Sequence, residues 1–302
     1  VELNGLVVSQ DASTLPRTPW GRPDLHGLWN NSTTTPLERM TAEEKARGRQ
    51  AQRAVTEATG GTGAGWLELG GGLDRESLIV DPPDGRIPIR AAAVQRLVDR
   101  EHARSGRGEA DSWLDRNTWE RCISRTLPIA MIPNIYNANY QILQTPTHVV
   151  IVMEMIHEAR IIPLDGRPHA ADGIRQWLGD GRGHWEGDTL VVETANFNGK
   201  NHFRGSTENM RVTERFTRVD DETMVYRFTI EDETMWARPW SAELLMKQTI
   251  GPIFEHACHE GNYGLYNTLV GARLEEKLAA EEAAAEEPSE DSAGDPSSAP
   301  KF

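Results

Sequence analysis

The sequence predicts a mainly β fold, an antiparallel up-and-down barrel or strongly bent sheet with helices and an irregular arm before it and one helix after it. Three observations lead there. The stretch 148–163, HVVIVMEMIHEARIIP, is an apolar run whose β-branched content and length read as one long strand rather than a helix. From residue 140 onward a period-2 pattern recurs at 140–145, 149–162, 189–197, 211–219, 223–231, 235–249 and 253–258. The connections 220–222 and 232–233 and the turn Glu186-Gly187-Asp188 are hairpin-sized, so successive strands should run antiparallel. A meander of this length tends to curl and close, which removes its exposed edges.

Before the strands, 18–29 (TPWGRPDLHGLW) is dense in Pro, Gly and Trp and reads as an irregular arm whose indoles, Trp20 and Trp29, dock on the body. Thr41-Ala42-Glu43-Glu44 is a capping box, opening a polar surface helix that runs to about residue 58. Seven glycines between 60 and 72 then break all regularity. The strand, helix and Lys-Ser/Thr ending that give a phosphate loop its meaning are missing there, so this reads as a flexible loop. A turn at 81–85 leads into helices over 91–104 and 111–121, the second burying Trp113, Leu114 and Trp119. After the strands, 265–286 is helical by propensity, with Leu265, Leu269 and Ala272 turned toward the barrel. The chain thus divides into an arm and helices wrapped on the barrel (1–135), the barrel (136–262), a C-terminal helix (263–287) and a disordered tail (288–302), one structural domain overall.

Composition bounds the function. The 302 residues carry a formal charge of −14, which argues against nucleic acid or an anionic membrane surface as partner. Half of that sits from residue 275 onward, where nine acids face two lysines for a net of −7. No run of eighteen apolar residues spans a membrane. The sequence opens on Val1, compatible with removal of a signal peptide or with a trimmed N-terminus. Cys122 and Cys258 would form a disulfide in an exported protein and stay as buried thiols in a cytosolic one.

The chemistry-bearing residues follow from strand faces. Alternation through 149–162 puts His157 on an apolar side, with Glu154, Glu158 and Arg160 opposite. In 223–231, Met224, Tyr226, Phe228 and Ile230 share a face; in 235–249, Trp236, Arg238, Trp240, Ala242, Leu244 and Met246 do, provided Pro239 does not shift the register. Near the end, Glu255 and His259 share a face, whereas His256 and His259 do not.

Two function classes result. One is a cofactor-free lyase, isomerase or hydrolase, using His157 with Glu154, Glu158, Glu255 or His259 as acid and base, and Arg160, Arg238, Trp236, Trp240 and Tyr226 to hold a hydroxylated or anionic substrate. The other is a periplasmic protein that binds a small ligand without turnover. A metal held by His157, one of the later histidines and a glutamate is an alternative that spacing alone does not favour. The plain structural readings stand beside these: a lone imidazole on an apolar face is more often a hydrogen-bonded core residue, and an arginine between indoles more often stacks and snorkels to water.

The segments TPWGRPDLHGLW (18–29), SLIVDPPDGRIP (77–88), YNANYQILQTP (136–146), EMIHEARIIPLDGRPH (154–169), QWLGDGRGHWEGDTLVVET (176–194) and ACHEGNYGL (257–265) together resemble a large family of uncharacterised exported bacterial proteins. The resemblance covers nearly the whole chain. It implies a single exported domain of Gram-negative origin and assigns no reaction or catalytic residue. At the level of fold alone, the meander resembles lipocalin-like barrels, which does not imply their function.

Overall fold

The computed structural model describes residues 15–48, 70–104, 110–134, 136–200 and 203–286, with the short hairpin β1 (Glu2–Leu3) and β2 (Leu6–Val7) ahead of them. The body is a ten-stranded antiparallel sheet, bent into a nearly closed barrel. Its strands are β3 (Gly27–Asn30), β4 (Ile79–Asp81), β5 (Asn139–Gln144), β6 (His148–Met153), β7 (Ala159–Pro163), β8 (Asp180–Glu186), β9 (Thr189–Ala195), β10 (Arg211–Arg218), β11 (Thr223–Glu231) and β12 (Trp240–Gln248). They run in the order β7-β6-β5-β3-β12-β11-β10-β9-β8, with β4 also paired to β12.

Two meanders, β5-β6-β7 and β8 to β12, are therefore stitched together by β3, which pairs through Trp29 and Asn30 with Tyr140 and Asn139 on one side and with Gln248 and Lys247 on the other. The arm at 18–29 thus ends as a central strand rather than only docking. Trp29 is fully buried and donates its indole N–H to the Leu25 carbonyl at 2.9 Å, whereas Trp20 stays exposed. At the far ends of the order, β7 and β8 face each other across the barrel seam.

The lumen is a packed core. Met224, Tyr226, Phe228 and Ile230 of β11 are all fully buried, as the alternation of 223–231 demands, and meet Val212, Phe216, Trp240, Ala242, Leu244 and Met246. Phe216 stacks on Tyr226 with centroids 4.8 Å apart, and Phe228 meets Trp240 edge-on at 5.9 Å. These side chains fill this part of the barrel interior.

Several expected elements differ. The run 148–163 is not one strand but the hairpin β6-β7, reversed over a 3₁₀ turn at Met155–His157 in which Ile156 and His157 take positive φ (61° and 57°). The turn is held from outside: Glu154 accepts from Asn139 Nδ2 at 2.7 Å and from the Phe254 amide at 3.2 Å, while Met155 is buried. The 235–249 strand starts only at Trp240, because 232–238 is a turn in which Asp232 accepts from the Thr207 and Thr234 amides. Residues 253–258 form no strand. Only Trp113–Asp115 of 111–121 is helical, as a 3₁₀ turn with a Ser112–Asp115 capping box. Trp113 and Leu114 are exposed there, and Arg121 stacks over Trp113 at 4.5 Å.

The helix expected from the Thr41–Glu44 capping box is present as α1 (42–48), with Glu44 N–H donating to Thr41 Oγ1 at 3.1 Å; the expected continuation to 58 lies outside the described residues. So do most of the glycine-rich stretch and the tail 288–302. Helix α2 (Ala91–Arg104) and helix α3 (Tyr263–Glu286) form as expected. Cys122 and Cys258 are joined in a disulfide that ties the segment preceding α3 to the body. Among the described residues, no helix is long and apolar enough to cross a membrane.

Candidate functional site

The β7-β8 seam places a cavity of about 360 Å³ between Glu158–Ile162 on one wall and Gln176–Gly181 on the other. The reason lies in the local sequence. Strand β7 spends one edge on β6, where Ile151 pairs with Arg160 and Val149 with Ile162. Across the seam β8 begins Asp180-Gly181-Arg182-Gly183, and the Ile162 and Leu164 side chains fill the space over Gly183: an added methyl there would meet Leu164 Cδ2 at 2.6 Å and Ile162 Cγ2 at 2.9 Å. The second wall is fixed separately. Thr126 Oγ1 donates to the Trp177 carbonyl at 2.8 Å, and the Gln176 amide donates to the Asn196 carbonyl at 2.9 Å.

Glu158 stands at the mouth of the cavity, half-buried. Its Oε2 accepts from Ser124 Oγ at 3.1 Å and from the Arg125 amide at 3.2 Å. Burial raises its proton affinity above that of an ordinary glutamate; the two hydrogen bonds and the Arg125 guanidinium pull the other way and do not win. Asp180, on the opposite wall, is buried and engaged by the Ala170 amide at 2.7 Å, by His169 Nδ1 at 3.3 Å and by Arg182 at 3.1 Å.

Arg160 also lines the cavity, but its guanidinium is committed inward. It makes a bidentate pair with the fully buried Glu214 of β10, NH1 to Oε1 at 2.8 Å and NH2 to Oε2, and the Tyr226 hydroxyl donates to the same Oε1 at 2.8 Å. Burial alone would weaken the guanidinium's hold on its proton; the Glu214 charge more than offsets that. Burial, then the Glu214 charge, pushes the Tyr226 phenol well above its usual range, so its proton stays on the hydrogen bond. This is a structural triad beneath the cavity floor.

The expected convergence of His157 and Arg238 is not found. His157 is exposed on the β6-β7 turn, and Arg238 is exposed before β12, where it pairs with Asp81; neither lines the seam cavity. The face argument failed for each because the residue sits in a turn, outside the strand whose alternation was extended to it. Trp236 and Trp240 pack edge-to-face at 6.0 Å in the core rather than around a guanidinium. Tyr226 is likewise core, not substrate wall. Glu154 is buried and holds the turn, while Glu255 and His259 are exposed in the irregular segment before α3. Of the residues singled out from sequence, Glu158 and Arg160 are brought together at the cavity.

Glu214, Asp180, Gln176 and Trp177 were missed. Glu214 was legible as the lone carboxylate between Val212 and Phe216 on a buried face; the others lie in a Gly-rich stretch without periodicity. Among the described residues, no group of three His, Cys, Asp or Glu side chains is arranged to hold a metal ion. The fold and site define a nearly closed antiparallel barrel with a filled lumen and a seam cavity lined by the carboxyls of Glu158 and Asp180. No family model, curated protein or solved structure matches the chain.

Proposed function

We propose that this is an exported protein whose seam cavity takes a small hydroxylated or anionic, partly apolar compound, and that Glu158 exchanges a proton with it, as a lyase, isomerase or hydrolase of the acid–base type requires. The observation that carries the reading is Glu158, a carboxyl with raised proton affinity lining a cavity of about 360 Å³. Such a group can be neutral near the pH at which it must donate and charged where it must accept. Trp177 and Leu178 supply apolar wall, and polar backbone at the outer edge of β7 supplies partners for hydroxyls. The disulfide supports export, because such bonds persist in oxidising compartments, and so does the resemblance to exported bacterial proteins.

A second reading, binding without turnover, is favoured by the commitment of Arg160 to Glu214 and of Asp180 to the Ala170 amide and Arg182, which leaves Glu158 as the cavity carboxyl without a charged partner in contact. Ligand-observed NMR with a panel of hydroxy acids, polyols and phenolic acids tests both. Hits should weaken at least tenfold in Ala159→Phe, which fills the cavity from an exposed position, and conversion of a hit should stop in Glu158→Gln. Hits that bind without being converted favour the second reading; hits indifferent to Ala159→Phe refute the site.

A further inference from the structure

We propose that α3 pairs with α3 of a second copy of this chain, as an antiparallel, two-fold related helix seam. The helix leaves the disulfide-anchored segment and lays Leu265, Leu269 and Ala272, all half-buried, on the body; Arg273 adds hydrogen bonds to the Ala110 and Asp111 carbonyls at 3.0 Å. The opposite face is apolar and open to water. Tyr263 (71% exposed), Tyr266 (66%), Val270 (47%), Leu274 (55%) and Leu278 (50%) follow one another at intervals of three and four, so they form one stripe along the helix. From Leu274 to Ala285 every residue is exposed, so the second half of the helix projects past the body. A single helix without tertiary contacts is marginal in water, and packing on an apolar face is what normally sustains one.

Charge selects the occupant and its direction. Tyr263–Arg273 contains no acid and one cation, whereas Leu274–Glu286 carries Glu275, Glu276, Glu281, Glu282 and Glu286 against Lys277. A parallel pair would stack the two acidic halves. An antiparallel pair lays each acidic half against the acid-free half of its partner, whose Arg273 is spent on its own Glu276 and the Ala110 and Asp111 carbonyls, and opposes the helix dipoles. The stripe is self-complementary in that direction. A two-fold axis at the level of Ala272 sets Val270 opposite Leu274 and Tyr266 opposite Leu278, each pairing occurring twice, as an isologous contact requires. An anionic membrane surface would be repelled by the same acids.

The apolar seam from Tyr266 to Leu278 is about 18 Å long at 1.5 Å per residue. A seam of that length is a small one beside the roughly 800 Å² per partner of standard interfaces, so the pairing belongs with weak, reversible contacts. Sedimentation velocity of the whole chain between about 1 and 200 µM should show a monomer–dimer equilibrium, weakened at least tenfold in V270E/L274E. Both positions are exposed, so the variant's melting temperature should match wild type at low concentration, which separates lost pairing from lost folding. Direction is read by thiol-specific cross-linking with the native disulfide intact: Tyr266→Cys and Leu278→Cys should cross-link when mixed, and neither alone. Monomer throughout, an equilibrium unchanged in V270E/L274E, or homotypic cross-links would each overturn the proposal.

Discussion

Replacing Arg160 by methionine keeps most of its stem while removing the charge that Glu214 faces inside the barrel. Glu214 is fully buried, and its two oxygens are satisfied by Arg160 and by the Tyr226 hydroxyl. Removing one partner of a buried pair typically costs about 3–5 kcal/mol, because the other charge is left in low dielectric. The Tyr226 hydrogen bond survives and solvates one oxygen, so the lower end applies, about 3 kcal/mol. At the few degrees per kcal/mol expected for a domain of this size, that lowers Tm by roughly 6–12 °C. The companion R160M/E214L removes both charges and should recover most of the loss, to within about 1–2 kcal/mol of wild type.

Urea unfolding at pH 7.5, followed by tryptophan emission, measures the deficit, with Trp29 and Trp240 reporting from the core. A cost under about 1 kcal/mol would show that Glu214 is not desolvated as the structure has it.

Three further outcomes are expected. Thiol titration of the unreduced, denatured protein should find no free thiol, and reductant should lower the melting temperature, since a closed loop with a sequence separation of 136 residues restricts the unfolded chain by on the order of 4–5 kcal/mol in the entropy model. Glu154→Ala leaves the Asn139 amide and the Phe254 N–H without their acceptor and should cost about 1–3 kcal/mol, with faster hydrogen exchange confined to the β6-β7 turn and residues near 254. Glu158 holds its proton more tightly folded than unfolded, so wild-type stability should decline as pH rises from about 4.3 through its folded pKa; Glu158→Gln should flatten that decline, and an unchanged slope would place the carboxyl in water.

Where side-chain pattern and backbone agree, the sequence was readable. The face Met224, Tyr226, Phe228 and Ile230 is the inner face because a strand paired on both edges has one covered side, and alternation reports that directly. The run 148–163 misled because hydrophobicity does not lapse at its turn: Met155 is buried there, and Ile156 takes a positive φ with no glycine or asparagine to announce it. Strand β8 was invisible for the opposite reason, since Gly181 and Gly183 have poor strand propensity, and Gly183 is needed for the close approach of Ile162 and Leu164. Strand β3 is four residues long and owes its place to partners on both edges. Glu158 was found as a candidate, but its donors, Ser124 and Arg125, come from a segment no periodicity connects to it.

The position of the cavity follows from how the barrel is closed. A lumen filled by Phe216, Tyr226, Phe228 and Trp240 cannot also hold a ligand, so binding volume has to come from an end of the barrel or from a strand pair left unzipped. Zipping β7 to β8 along their whole length would require both edges to present regular donors and acceptors. Pro163 has no N–H to give, and Gly179, at φ +73°, turns the chain just before β8; an added methyl there would lie 2.6 Å from Thr194 Cγ2 and 2.7 Å from the Ala195 carbonyl. The seam is consequently sealed by side chains over Gly183 and left open between Ala159 and Gly179, and Glu158, fixed from behind by Ser124 and the Arg125 amide, is the carboxyl that this opening receives. Closing the gap by strand pairing would remove the cavity and Glu158's place in it, which ties the incomplete barrel to the proposed function.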